Sequence, residues 1–120
     1  MTTSANKAAG TRWEIDCKNH VSAAGFPTVE RIYGHGTKDI GDIGGLPGWI
    51  IGCKNEKTLR LSAYMDDMRA QRANLGAAGQ DVIPVELVKR RGYSTGRGYA
   101  VLEIDELLQV MRLLDLGGSA

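Results

Sequence analysis

The chain has 120 residues, 42% hydrophobic and 24% charged, the proportions of one soluble globular domain. Its 15 Lys and Arg nearly balance 14 Asp and Glu, for a net charge of +1, so any nucleic-acid surface has to come from where the charges sit, not from their sum. Two cysteines, Cys17 and Cys53, exclude a disulfide scaffold, and no apolar run approaches the roughly 20 residues of a membrane span.

Residues 1–10 are small and polar and read as a disordered arm without an apolar signal-peptide core. A cytoplasmic, reducing setting with free thiols is the expectation. From Thr11 to Ala24 a helix is expected. Thr11 caps it, Glu14 completes a capping box, and Trp13, Cys17 and Val21 recur at a four-residue step. Gly25 ends it. Residues 26–33 alternate like a strand, and the glycine-rich segment from Gly34 to Gly48 reads as turns around a short Asp42-Ile43 piece. Trp49-Ile50-Ile51-Gly52-Cys53-Lys54 is an apolar run of the kind found in a buried central strand.

Leu59 to Leu75 carries Leu61, Tyr64, Met65 and Met68 at helical spacing, a core or dimer-interface stripe. Residues 81–88 form a fourth strand, where Pro84 marks an unpaired donor at an edge or bulge. A basic loop, 89–98, leads to a fifth strand at 99–104, a closing helix at 105–116 and a flexible tail at 117–120. The expected architecture is mixed α/β, one domain over 11–116, with a small central sheet flanked by helices.

The informative stretch runs from Gly41 to Asn55. An Asp sits before a tight turn, and the apolar strand that follows delivers a Lys at its end. Strand alternation puts Gly52 and Lys54 on one face and Cys53 on the other. Taken singly these residues have ordinary readings: Asp42 with Gly44 and Gly45 as a turn, Lys54 as a strand-end charge, Glu14 as a cap. Together, a lysine leaving an apolar strand needs a reason, and a carboxylate with a metal-bound water beside it is one.

The stretch resembles the PD-(D/E)xK nuclease superfamily, above all the small phage nucleases related to Holliday-junction resolvases. Their pattern is Gly-Asp-Ile, a Gly/Pro turn, an apolar strand and Glu-x-Lys-Asn. Here it stands as Gly41-Asp42-Ile43, the turn, and Gly52-Cys53-Lys54-Asn55. Trp13-Glu14, Gly25-Phe26-Pro27 and Lys89-Arg90-Arg91-Gly92 extend the likeness to residues 11–115. The resemblance implies an αβββαβ core of the restriction-endonuclease kind, a Mg2+ or Mn2+ cofactor, branched or structured DNA as substrate, and a homodimer. It assigns Asp42 and Glu14 as metal ligands, with the Cys53 carbonyl as a further one. Lys54 handles the attacking water and the phosphate charge, and Gln71 supports the site.

One position departs from the pattern. Gly52 stands where the family has its metal-binding Glu, and a glycine offers no ligand. Three accounts stay open: Asp42 acts with Glu14, Glu56 or Asp39 substitutes, or the site is impaired by natural loss or by an inactivating change. Lys89, Arg90, Arg91 and Arg97, interleaved with Tyr93 and Tyr99, are the expected DNA contacts, with Lys57 and Arg60 as a second cluster and Arg69 and Arg72 on the second helix. The competing readings are a catalytically inactive DNA-binding protein on the same fold and a phage factor that binds a host protein. Cys17 and Cys53 are expected as core thiols.

Overall fold

A computed structural model describes residues 4–32 and 39–116. The expected tail at 117–120, and Tyr33 at the end of the first expected strand, lie outside the described residues. The elements run α1 (Ser4–Ala23), β1 (Glu30–Arg31), β2 (Ile43–Gly44), β3 (Trp49–Lys54), α2 (Leu61–Asn74), β4 (Ile83–Val88), β5 (Tyr99–Val101) and α3 (Ile104–Leu113). This is the αβββαβ core order followed by the expected fifth strand and closing helix. Among the described residues the strands form one mixed sheet in the order β1-β2-β3-β4-β5. β3 and β4 pair in parallel, and the other neighbours pair antiparallel. No described helix is long and apolar enough to cross a membrane.

α1 packs on one face of the sheet. Trp13 and Cys17 join Val29, Ile43, Ile51 and Val85 in a buried cluster, and the Trp13 indole donates to the Leu87 carbonyl at 3.0 Å. Burying the ring while satisfying its one N–H makes this residue the main anchor of the helix. α2 lies over β3 and β4, and α3 lies against β4. α2 buries Tyr64, Met68 and Gln71, whereas Leu61 is exposed, so the Tyr64–Met68 stripe is core and its start is not. α3 is tied to α2 by Arg69–Glu103 at 2.8 Å and Arg72–Glu106 at 2.6 Å. Its outer side leaves Ile104, Leu113 and Leu114 largely uncovered.

Several expectations are corrected. Residues 4–10, expected as a disordered arm, are the first turns of α1. Lys7, Ala8 and Ala9 are strong helix formers that extend the Trp13-anchored helix backward. Thr11 and Glu14 are therefore mid-helix, not a capping box. Of the strand expected at 26–33, the described residues 26–32 form only Glu30–Arg31, with Phe26 exposed and Val29 buried. The fifth strand ends at Val101, and the closing helix starts at Ile104. Pro84 sits in an internal strand, yet the reading of its missing donor holds. Ile83 N–H points to β3, at 2.8 Å from the Gly48 carbonyl, so position 84 faces β5, whose pairing begins only at Glu86.

Candidate active site

Asp42 is held beside β3 through its backbone and its side chain. Its N–H donates to the Ile51 carbonyl at 2.8 Å, and its carbonyl accepts from Ile32 N–H at 2.9 Å. Its carboxylate Oδ2 accepts from Cys53 N–H at 2.7 Å. Gly41 makes this approach possible. It has φ +108°, and a Cβ there would lie 3.1 Å from the Ile51 carbonyl oxygen. Burial lifts the Asp42 carboxyl to about 6 against the opposing Cys53 hydrogen bond, with the charges of Glu14 and Asp39 adding to the rise and Lys54 resisting it.

Lys54 ends β3 within electrostatic range of Asp42. Its Nζ donates to Asp67 Oδ2 at 2.9 Å and stands 5.7 Å from the centre of the Tyr64 ring. Desolvation works against the ammonium, but the Asp67 hydrogen bond and the charges of Glu86, Asp67 and Asp42 hold its pKa above the ordinary value. Asp67 is one functional candidate that the sequence reading missed.

Glu86 is the other. It pairs with Gly52 in the parallel register of β3 and β4, is 0% exposed, and neither of its carboxylate oxygens has a hydrogen-bond partner. A Cβ built on Gly52 would collide with Glu86 Oε1 and lie 2.8 Å from Met68 Cε. The glycine expected to be an anomaly of the strand therefore has a steric reason: the Glu86 carboxylate occupies the space over it. Burial pushes the Glu86 carboxyl up to about 8; Lys54 opposes this, while Asp42, Asp67 and Asp39 add to it. The signal was present in the sequence as one acid inside the apolar run Ile83-Pro84-Val85-Glu86-Leu87-Val88.

The other expected site residues are distributed as follows. Glu14 faces Asp42 closely enough to raise its pKa, but Glu14 Oε1 accepts from Arg31 at 3.1 Å. Gln71 is buried and donates to Asp39 Oδ2 at 2.8 Å, and Asp39 Oδ1 accepts from Gly41 N–H at 3.0 Å. Gln71 thus braces the loop that carries Asp42. Asp39 is committed to that loop, and Glu56 to Arg60 at 2.9 Å and to Tyr64 Oη at 2.7 Å. The Cys53 side chain turns to the α1 face, where its thiol pKa is pushed up by the Cys17 thiol and by burial. Its backbone faces β2, on the side of the Asp42 carboxylate.

The basic loop follows β4 at the same end of the sheet as Lys54, since Lys89 N–H donates to the Lys54 carbonyl at 2.9 Å. Arg90 stacks 3.6 Å from the Tyr93 ring centre, Arg91 Nε donates to Asn55 Oδ1 at 3.3 Å, and Arg97 is exposed. Lys57 is exposed as well. Arg60, expected among the DNA contacts, is held by both oxygens of Glu56. Arg69 and Arg72 are engaged by Glu103 and Glu106 at the start of α3.

Among the described residues no three His, Cys, Asp or Glu side chains form a ready-made metal cage. Mg2+ does not need one, since it keeps several waters and takes one or two carboxylates with phosphate oxygens. The buried, unpartnered oxygens of Glu86 and the carboxylate of Asp42 are donors of that hard class, so the residues present fit a divalent cation. Comparison with protein-family models, curated proteins and solved structures gives no match for this chain.

Proposed function

We propose that the chain is a Mg2+- or Mn2+-dependent endonuclease that hydrolyses phosphodiester bonds in branched or structured DNA, as its resemblance to resolvase-like nucleases implies. The observation that carries this reading is the meeting of Asp42 and Lys54, from different elements, at the C-terminal end of the parallel β3–β4 pair and beside a basic loop. Asp42 would hold a divalent cation, which would polarise a phosphoryl oxygen and acidify a water. The Cys53 amide fixes the orientation of the Asp42 carboxylate. The Lys54 ammonium offsets charge that builds on the phosphate and orients the attacking water, and Asp67 holds that ammonium in position. A second copy of the chain brings a second site for symmetric cutting. Purified chain nicks a four-way junction in Mg2+ or Mn2+ and not in EDTA; absence of nicking in either metal rejects the reading.

Lys89, Arg91 and Arg97 hold the DNA backbone in this reading. Changing all three to Gln weakens junction binding and flattens its salt dependence by about 0.9 in log–log slope for each duplex phosphate that is no longer neutralised. Fluorescence anisotropy across a salt series measures it, and an unchanged slope removes the loop from the interface. Gly52, together with the engagement of Lys54 by Asp67, favours one second reading, a DNA-binding protein without catalysis. It is recognised by salt-sensitive binding with no cleavage in any divalent metal. Absence of DNA binding at low salt instead points to the host-protein factor.

A further inference from the structure

Glu86 is a costly residue for its place. Its neighbours on β4, Val85 and Val88, are buried apolar groups, and Met68 packs against the same spot. A carboxylate buried without hydrogen-bond donors costs several kcal/mol, which an apolar side chain of similar size avoids. Lys54 attracts it but donates to Asp67 at 2.9 Å. The side chain does not stay over its own strand: it lies across Gly52 of β3, and any residue other than glycine at that position would meet it. Asp42 borders β3 from the other side, through its bonds to the backbone of Ile51 and Cys53. Two carboxylates thus flank one bare strand position, and the charge of one reaches the other.

We propose that Glu86 delivers from β4 the cation-binding carboxylate that β3 lacks at Gly52, so that Asp42 and Glu86 hold one Mg2+ or Mn2+ between them. The inference rests on the nuclease reading for its choice of cation, and it replaces Glu14, Asp39 and Glu56 as sources of the second acid. Gly52 is then a requirement of the site and not its defect. A cation would engage the two Glu86 oxygens that have no hydrogen-bond donor, and the backbone carbonyl of Cys53, facing β2, would add to a hard-oxygen set of the kind Mg2+ takes.

The test is Mn2+ binding by calorimetry on the metal-free chain, with folding checked by circular dichroism. Wild type binds one Mn2+. Glu86→Gln, nearly isosteric, weakens binding by at least about 100-fold, the upper range for loss of a residue supporting a metal site. The transposed variant Gly52→Glu with Glu86→Ala returns the carboxylate to β3 and recovers binding. In wild type, substoichiometric Mn2+ broadens the amide resonances of Cys53 and Glu86 first, a readout that does not depend on any variant folding. Wild-type Mn2+ affinity in Glu86→Gln, or broadening that spares Glu86, overturns the inference; if that variant still nicks a junction, the nuclease reading survives. Mn2+ held through Glu86 in a chain that nicks no DNA leaves the inference standing and rejects the nuclease reading. Wild type that takes up no Mn2+ overturns the inference outright.

Discussion

Asp42→Asn lowers the rate of junction nicking by about 10^3-fold or more. Several kcal/mol of transition-state stabilisation pass through a cation-binding carboxylate, and each 1.36 kcal/mol is about tenfold in rate. The substitution is conservative in structure. The Asn carbonyl accepts the same Cys53 N–H that Asp42 Oδ2 accepts at 2.7 Å, so the loop stays seated on β3. The charge is what disappears, and it is a charge that burial already disfavours, since the Asp42 carboxyl is lifted to about 6. The variant therefore melts at or above the wild-type temperature at neutral pH while losing cleavage. Supercoiled-plasmid or junction nicking, measured beside a thermal melt, separates the two effects. Wild-type nicking by Asp42→Asn removes Asp42 from the chemistry.

The second large effect is on stability. In the metal-free chain the Glu86 carboxyl is raised from 4.5 to about 8, first by burial and then by the negative charges of Asp42, Asp67 and Asp39, with Lys54 opposing. A carboxyl whose pKa is raised by folding holds its proton more tightly in the folded state. Its contribution is fully present below about 4.5 and is lost as pH rises toward about 8, because the unfolded chain ionises first. The loss is of the order of a few kcal/mol, a large share of the stability of a small domain. Asp42 adds a smaller loss of the same sign between 3.8 and about 6. Urea midpoints at pH 5 and pH 8 show the decline in wild type, and Glu86→Gln removes most of it. An equal decline in both proteins takes Glu86 out of this account.

The elements that the sequence announces are those governed by near neighbours. Trp13 and Cys17 at a four-residue step become the buried stripe of α1, and the apolar run from Trp49 to Lys54 becomes β3 with the expected bounds. Tyr64 and Met68 become the core face of α2. Asp42 and Lys54 were legible as a pair because a short glycine turn and one strand separate them. Errors fall where local pattern competes with anchoring. The polar composition of residues 4–10 suggests an arm, but helix continuity from Trp13 carries them into α1. The alternation at 26–33 suggests a full strand, but among the described residues of that stretch only Glu30–Arg31 finds β2 to pair with.

Glu86 shows where local pattern ends. Composition, periodicity and turn residues establish a mixed sheet with helices on its faces and a lysine leaving its central strand, because each of those features is set within a few residues along the chain. The neighbour of Gly52 is set instead by the parallel register of β3 and β4, two strands joined through α2. No spacing rule links those positions. That register alone lays a buried carboxylate over a glycine, and it also makes one acid in an apolar strand a partner for Asp42.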